Sequence, residues 1–182
     1  WLDKYVDSGR VDGAIVIGQS DQSAVLDAVA ERYKPLVVWG SYDTGQIHCS
    51  VGSDNVAGGR MAAQHVLDQG ARRIAFFGDI RGVEMRARLN GCKKAVADAG
   101  LPAPDVVPIQ LTREDARQAI ADYCNANTTL PDGIVAATDV IAMAAISVLT
   151  ERGVRVPDDV RVIGYDDLPL AEQTAPPLST IR

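Results

Sequence analysis

Soft metal ligands are scarce in these 182 residues, which hold only two histidines and three cysteines. Neither His48 nor His65 stands at a metal-binding spacing from a cysteine or an acid, so no metal site is expected and both read as structural or solvent residues. Cys49, Cys92 and Cys124 are unevenly spaced, in contexts resembling a strand edge and helix cores. The expectation is buried free thiols in a reducing cytoplasm, without a disulfide frame. Long apolar runs are missing too: no stretch approaches the roughly 20 residues of a membrane helix, so no membrane partner is expected. Positive charge is thin. Eighteen Lys and Arg against 24 Asp and Glu leave a net charge of -6, and without a basic run this segment is not expected to grip nucleic acid itself. Enzyme signatures are also lacking: there is no G-x-G-x-x-G after a strand, no G-x-x-x-x-G-K-[ST], no G-x-S-x-G and no H-E-x-x-H, and "GDIRG" is too short to cradle a phosphate. No catalytic residue and no cofactor follows from the sequence.

The chain does contain the material of a globular core, being 47% hydrophobic and 23% charged. "WLDKYV" opens in mid-helix pattern without an initiator methionine and "PLSTIR" closes without a cap, so the chain reads as a piece of a longer protein. Six short apolar runs alternate with helical patterns, the mark of parallel strands joined by crossover helices. They span residues 13–17, 36–39, 73–77, 106–109, 134–137 and 160–165. Leu26, Val29, Ala30 and Tyr33 form one helical face, capped by Ser20 or Asp21, and Gly59, Ala63, Val66 and Leu67 form the next. Met85, Leu89, Cys92, Val96 and Ala99 make a third stripe, and Thr112 with Asp115 resembles a capping box. Asp139 reads as the cap of "VIAMAAISVLTERG", a helix apolar on several sides. The polar segment from His48 to Asn55 is the expected boundary between two doubly wound α/β lobes. Residues 1–52 form the first, lacking its opening strands, and 53–182 form a nearly complete second.

In open parallel sheets, ligands bind beyond the carboxyl ends of the strands. The residues there include Ser20, Gly40, Leu111, Thr138 and the pair Asp166 and Asp167. Asp166 ends the clearest strand, where its carboxylate could chelate two hydroxyl or amine donors; alternatively either acid caps a short helix begun by Pro169. Arg88 falls within the apolar stripe, three residues after Met85, so its guanidinium must find acceptors. In "RLNG", Gly91 would leave room for close approach, and Arg86 lies off the stripe. Thr138 divides evenly between a ligand contact and a strand-end filler, and Trp1 and Trp39 read as packing residues.

"VDGAIV", "PLVVWG", "VGSDNVAGGRMAAQHVLDQGARRIAFFG", "RARLNG", "AATDVIAMAA", "GVRVPDDVRVIGYDD" and "TAPPLSTIR", in this order and spacing, resemble the effector-binding core of LacI-type transcriptional regulators over practically the whole chain. The resemblance implies a two-lobed fold similar to periplasmic sugar-binding proteins (type I). It also implies a homodimer, a small effector such as a sugar or nucleoside between the lobes, and operator DNA bound through an N-terminal helix-turn-helix domain absent from this chain. Arg88 would be the arginine of the R-x-x-G motif and Asp166 the first aspartate of G-Y-D-D. Thr138 would stand where asparagine is common, Leu111 where an aromatic is frequent, and Gly40 where an acid usually ends its strand. Ring stacking and one hydroxyl chelator would thereby be lost. The two readings together place a guanidinium and a carboxylate facing each other across a hydroxyl-rich molecule. Met143 and Leu170, on and beside the most apolar helix, are the expected dimer face. A periplasmic sugar-binding receptor is the main alternative, and a nucleotide or sugar-phosphate enzyme a further one.

Overall fold

The structure, a computed structural model, describes all residues except 1, 19–22, 42–46 and 111. In chain order the elements are α1 (Leu2–Asp7), β1 (Ala14–Ile17), α2 (Ser23–Arg32), β2 (Leu36–Ser41), β3 (Cys49–Ser53), α3 (Asn55–Asp68), β4 (Ile74–Phe77) and α4 (Val83–Asp98). Then come β5 (Asp105–Val107), α5 (Arg113–Ala126), β6 (Gly133–Ala136), α6 (Asp139–Glu151), β7 (Arg161–Tyr165), a short 3-10 helix (Pro169–Gln173) and β8 (Ser179–Ile181). The chain divides into two compact units, Trp1–Asn55 with Arg81–Glu84, and Val56–Ile80 with Met85–Arg182.

The first unit holds a parallel sheet in the order β1-β2-β3. Leu26, Val29 and Ala30 of α2, with Leu2 and Val6 of α1, pack on Leu36 and Val38, as the helical spacing predicts. On the other face the register aligns Ile17, Trp39 and Val51, all exposed together with Ile15. Trp39 therefore does not pack as expected. Residues 49–53 were expected as a boundary loop and instead form β3. "CSVGS" is too polar to read as a strand, but β2 offers it a free edge to pair with.

The second unit has five parallel strands in the order β5-β4-β6-β7-β8. The four residues of β4 and of β6 are all buried, as are the last four of β7. Unbroken apolar runs of this kind belong to parallel strands covered on both faces. β8 was missed by sequence, since three residues with two hydroxyls carry no periodic signal.

Two helix backbones meet here without side chains between them. A methyl group on Gly59 of α3 would strike the backbone of Arg88, and one on Gly91 of α4 would strike the carbonyl of Val56 and the amide nitrogen of Arg60. Gly91 thus serves the approach of α3, not that of a ligand. Alanine normally favours a helix interior over glycine by about 1 kcal/mol. Overpacking of about 1–3 kcal/mol should reverse that preference in Gly91→Ala. The expected outcome is a melting temperature lower by several degrees in calorimetry, at about 2–4 °C per kcal/mol for a chain of this size; an unchanged or raised value would show that the helices can separate freely.

Candidate functional site

The carboxyl ends of β6 and β7 bring the two principal expected residues together. Arg88 lies on α4 with its side chain only 11% exposed, and its guanidinium meets three groups from the strand ends. It donates through Nη1 to the carbonyl oxygen of Ala137, and its central carbon lies 3.6 Å from the centroid of the Tyr165 ring. Nη1 also lies 3.6 Å from Oδ1 of Asp166. Stacking over an aromatic face satisfies a planar cation that has left water, and a carbonyl acceptor answers one of its donors. The Tyr165 ring is held in turn by α3, since a methyl group on Gly58 would collide with the tyrosine hydroxyl.

The geometry corrects one expectation. Arg88 and Asp166 belong to the same unit and lie side by side, not opposed across a gap. At 3.6 Å the pair is longer than a closed charge-assisted hydrogen bond of about 2.7–2.9 Å, so the two groups meet as neighbouring charges and not through a short hydrogen bond.

Asp166 and Asp167 both have positive φ, 110° and 55°, a region that side-chain-bearing residues rarely enter. Neither caps the 3-10 helix, whose N-cap is Leu168 without a side-chain bond. Burial raises the Asp166 carboxyl above the ordinary range for an aspartate; Arg88 pulls it back down and nearby Asp139 pushes it further up.

Thr138 is buried and is the N-cap of α6, accepting from the amide of Ile141 at 3.4 Å. The cap was expected at Asp139. That residue is instead the first of the helix and fully buried, with its carboxylate turned inward to the amide of Leu168 and the hydroxyl of Thr180. Sequence reasoning missed this role because a helix-opening acid reads as a solvent-facing cap. Gly40 lies in β2, paired with Gly52 in the first unit. Ser20 and Leu111 lie outside the described residues.

His48 is buried and its Nδ1 is 2.7 Å from Asp27, an interaction that, chiefly as a hydrogen bond, lowers the Asp27 carboxyl below the ordinary range. Cys92 is buried, which pushes its thiol up to about 12 and makes it a poor nucleophile. Cys49, expected to be buried, is exposed on β3. Met143 and Leu170 line a groove of about 690 Å3 with Val140, Ser147, Glu151 and Thr174. Eight of the thirteen residues of α6 are buried, so most of the helix's apolar surface goes into its own core and only a narrow strip reaches the groove. Among the described residues no helix is long and apolar enough to cross a membrane, and no three His, Cys, Asp or Glu side chains gather as a metal set.

Parallel strands with polar side chains gathered beyond their carboxyl ends are the architecture in which open α/β domains bind ligands. Residues 63–182 match the periplasmic binding protein-like domain model, and the chain belongs to this family, in the form that LacI-type transcriptional regulators carry. An HTH-type transcriptional repressor PurR from Photobacterium profundum is 34% identical over 95% of this chain and 53% of its own length. A transcriptional regulator CelR–cellobiose complex aligns with a TM-score of 0.83 and 30% identity, over 98% of this chain and 56% of that one. A dimeric Lac repressor gives a TM-score of 0.86 and 26% identity, over 97% and 65%. The chain spans about half the length of the curated relatives it matches.

The titration of Asp166 carries a consequence for stability. Its folded pKa lies above the unfolded value, so between the two the folded state holds more protons and stability falls as pH rises. The charged carboxylate therefore costs stability at neutral pH. Asp166→Asn should melt higher than the parent at pH 7. The advantage should shrink as pH falls toward 4, about the ordinary aspartate value; a variant that melts lower at pH 7 would contradict the placement of this carboxylate.

Proposed function

We propose that this chain is the effector-binding and dimerisation core of a DNA-binding transcriptional regulator, taking a small polar molecule, in the first instance a sugar. The observation that carries the reading is the adjacency of Arg88 and Asp166 beside the Tyr165 ring, at the carboxyl ends of parallel strands. A carboxylate oxygen accepts only and a guanidinium donates only, so neighbouring hydroxyls on one guest satisfy both. Nucleosides offer the same diol, and the cellobiose bound by the aligned CelR supports the sugar. No nucleophile stands beside a base in this set, so the guest is expected to leave unchanged.

Regulation follows from differential affinity: a guest that prefers one conformation shifts the equilibrium toward it by that preference alone. Operator recognition would then belong to a part of the protein outside these residues, acting in the cytoplasm. The repressor named among the relatives supports that assignment.

A thermal-shift screen of cellobiose, other sugars, polyols and nucleosides is the first test, because a ligand far above its dissociation constant raises stability measurably. Arg88→Ala and Asp166→Ala should each weaken a hit at least tenfold, about 1.4 kcal/mol, in calorimetry. Near-native affinity in both would reject the site. For the dimer, the groove along α6 and the exposed Leu170 supply the apolar surface. Met143→Glu should sediment as a monomer where the parent sediments as a dimer; an unchanged dimer would move the interface elsewhere.

A further inference from the structure

The turn that presents Asp166 is held by groups from two other elements. Three consecutive backbone N–H groups each find an acceptor there: Asp166 donates to the carbonyl of Ile181 at 2.9 Å, Asp167 to the hydroxyl of Thr180 at 3.2 Å, and Leu168 to Oδ2 of Asp139 at 2.7 Å. The Thr180 hydroxyl itself donates to Oδ1 of Asp139 at 2.5 Å. Its proton is thus directed to the carboxylate, which leaves its oxygen facing the amide of Asp167. One buried carboxylate therefore satisfies two donors directly and orients a third bond. Space for it is set by sequence: a methyl group on Gly164 would collide with Oδ1 of Asp139.

We infer that Asp139 is the positioning residue of this site, its carboxylate clasping Leu168 and Thr180 so that the chain between them holds Asp166 in place. The inference rests on the reading of Asp166 as an effector contact. Thr138 caps α6 and leaves Asp139 as the first helical residue, where the positive end of the helix favours an acid. Both carboxylate oxygens receive a donor, which asparagine cannot match, because its amide nitrogen would face one of them. The charged groups around the turn are Arg88 from α4, Asp139 from α6, and Arg182, whose Nε lies 3.0 Å from Asp167.

The test needs no effector. Amide exchange of Asp166, Asp167 and Leu168, and the carbon-13 titration of the Asp166 carboxyl, are measured in the parent protein and in Asp139→Asn, Thr180→Val and Thr180→Ser. In Asp139→Asn and Thr180→Val the amides of Asp167 and Leu168 should exchange at least about tenfold faster, with the β4 amides unchanged as the control for global stability. Thr180→Ser, which restores the hydroxyl, should exchange at the parent rate. The Asp166 midpoint should fall in Asp139→Asn, where a neighbouring negative charge is gone. Unchanged exchange at Asp167 and Leu168 in folded Asp139→Asn and Thr180→Val overturns the inference. Should Asp139→Asn fail to fold, the contrast between valine and serine at position 180 decides it. Because these readouts are taken without a guest, they hold whether or not the sugar screen confirms Asp166 as an effector contact.

Discussion

Arg88 is a helical residue whose partners lie at strand ends: Ala137 after β6, and Tyr165 and Asp166 at the end of β7. A guanidinium that has left water needs acceptors and a face to stack on, and here they come from the ends of two neighbouring strands of the second unit. The arrangement requires α4 to run close over the sheet and α3 to run close to α4. Gly59 and Gly91 allow the second of these approaches, and Gly58 lets the Tyr165 ring lie beneath α3. The glycines thus act on the site through backbone distance, none of them touching Asp166. Loss of the guanidinium would leave the strand-end carbonyl, ring and carboxylate without their common partner.

The turn after β7 is where the fold gives up stability. Two non-glycine residues at positive φ cost on the order of 1–3 kcal/mol each. Glycine would relieve that cost, yet aspartates stand at both positions, one of them with a partly desolvated carboxylate. Strain and an unfavourable charge at one place are hard to account for by packing alone. They fit a carboxylate held ready for a partner, and a guest that donates hydroxyls would answer the charge that burial disfavours.

What could be read in the sequence follows the strength of local signals. Central strands announce themselves because burial on both faces makes them continuously apolar, and all six expected runs overlap a strand, with ends shifted by at most two residues. The capping box at Thr112 is also legible, since its side chain accepts from the amide of Asp115 within the same turn. β3 and β8 were not legible: one is polar and the other short, and each exists by pairing with a neighbour. Arg88 and Asp166 stand out in the sequence because a charge in an apolar stripe and an acid closing a buried strand both break a pattern. Their adjacency does not, because α4 and β7 are brought together by helix crossings that glycine spacing only hints at. Asp139 was misread for the opposite reason. It follows the local rule for a helix start so well that nothing suggests partners near residues 168 and 180.

α6 joins two features of the second unit that are otherwise remote in sequence. Its first residue clasps the turn of Asp166, and Met143, four residues later and therefore about 6 Å along the axis, lines the apolar groove. Between them, Ile141 and Ala142 are buried in the core, which locks the helix as a rigid piece. If a second copy occupies that groove, a guest at Asp166 and the neighbouring subunit both bear on one helix with little freedom to bend. Any placement of α6 preferred at one end is then felt at the other, and linkage requires the two effects to be equal in size.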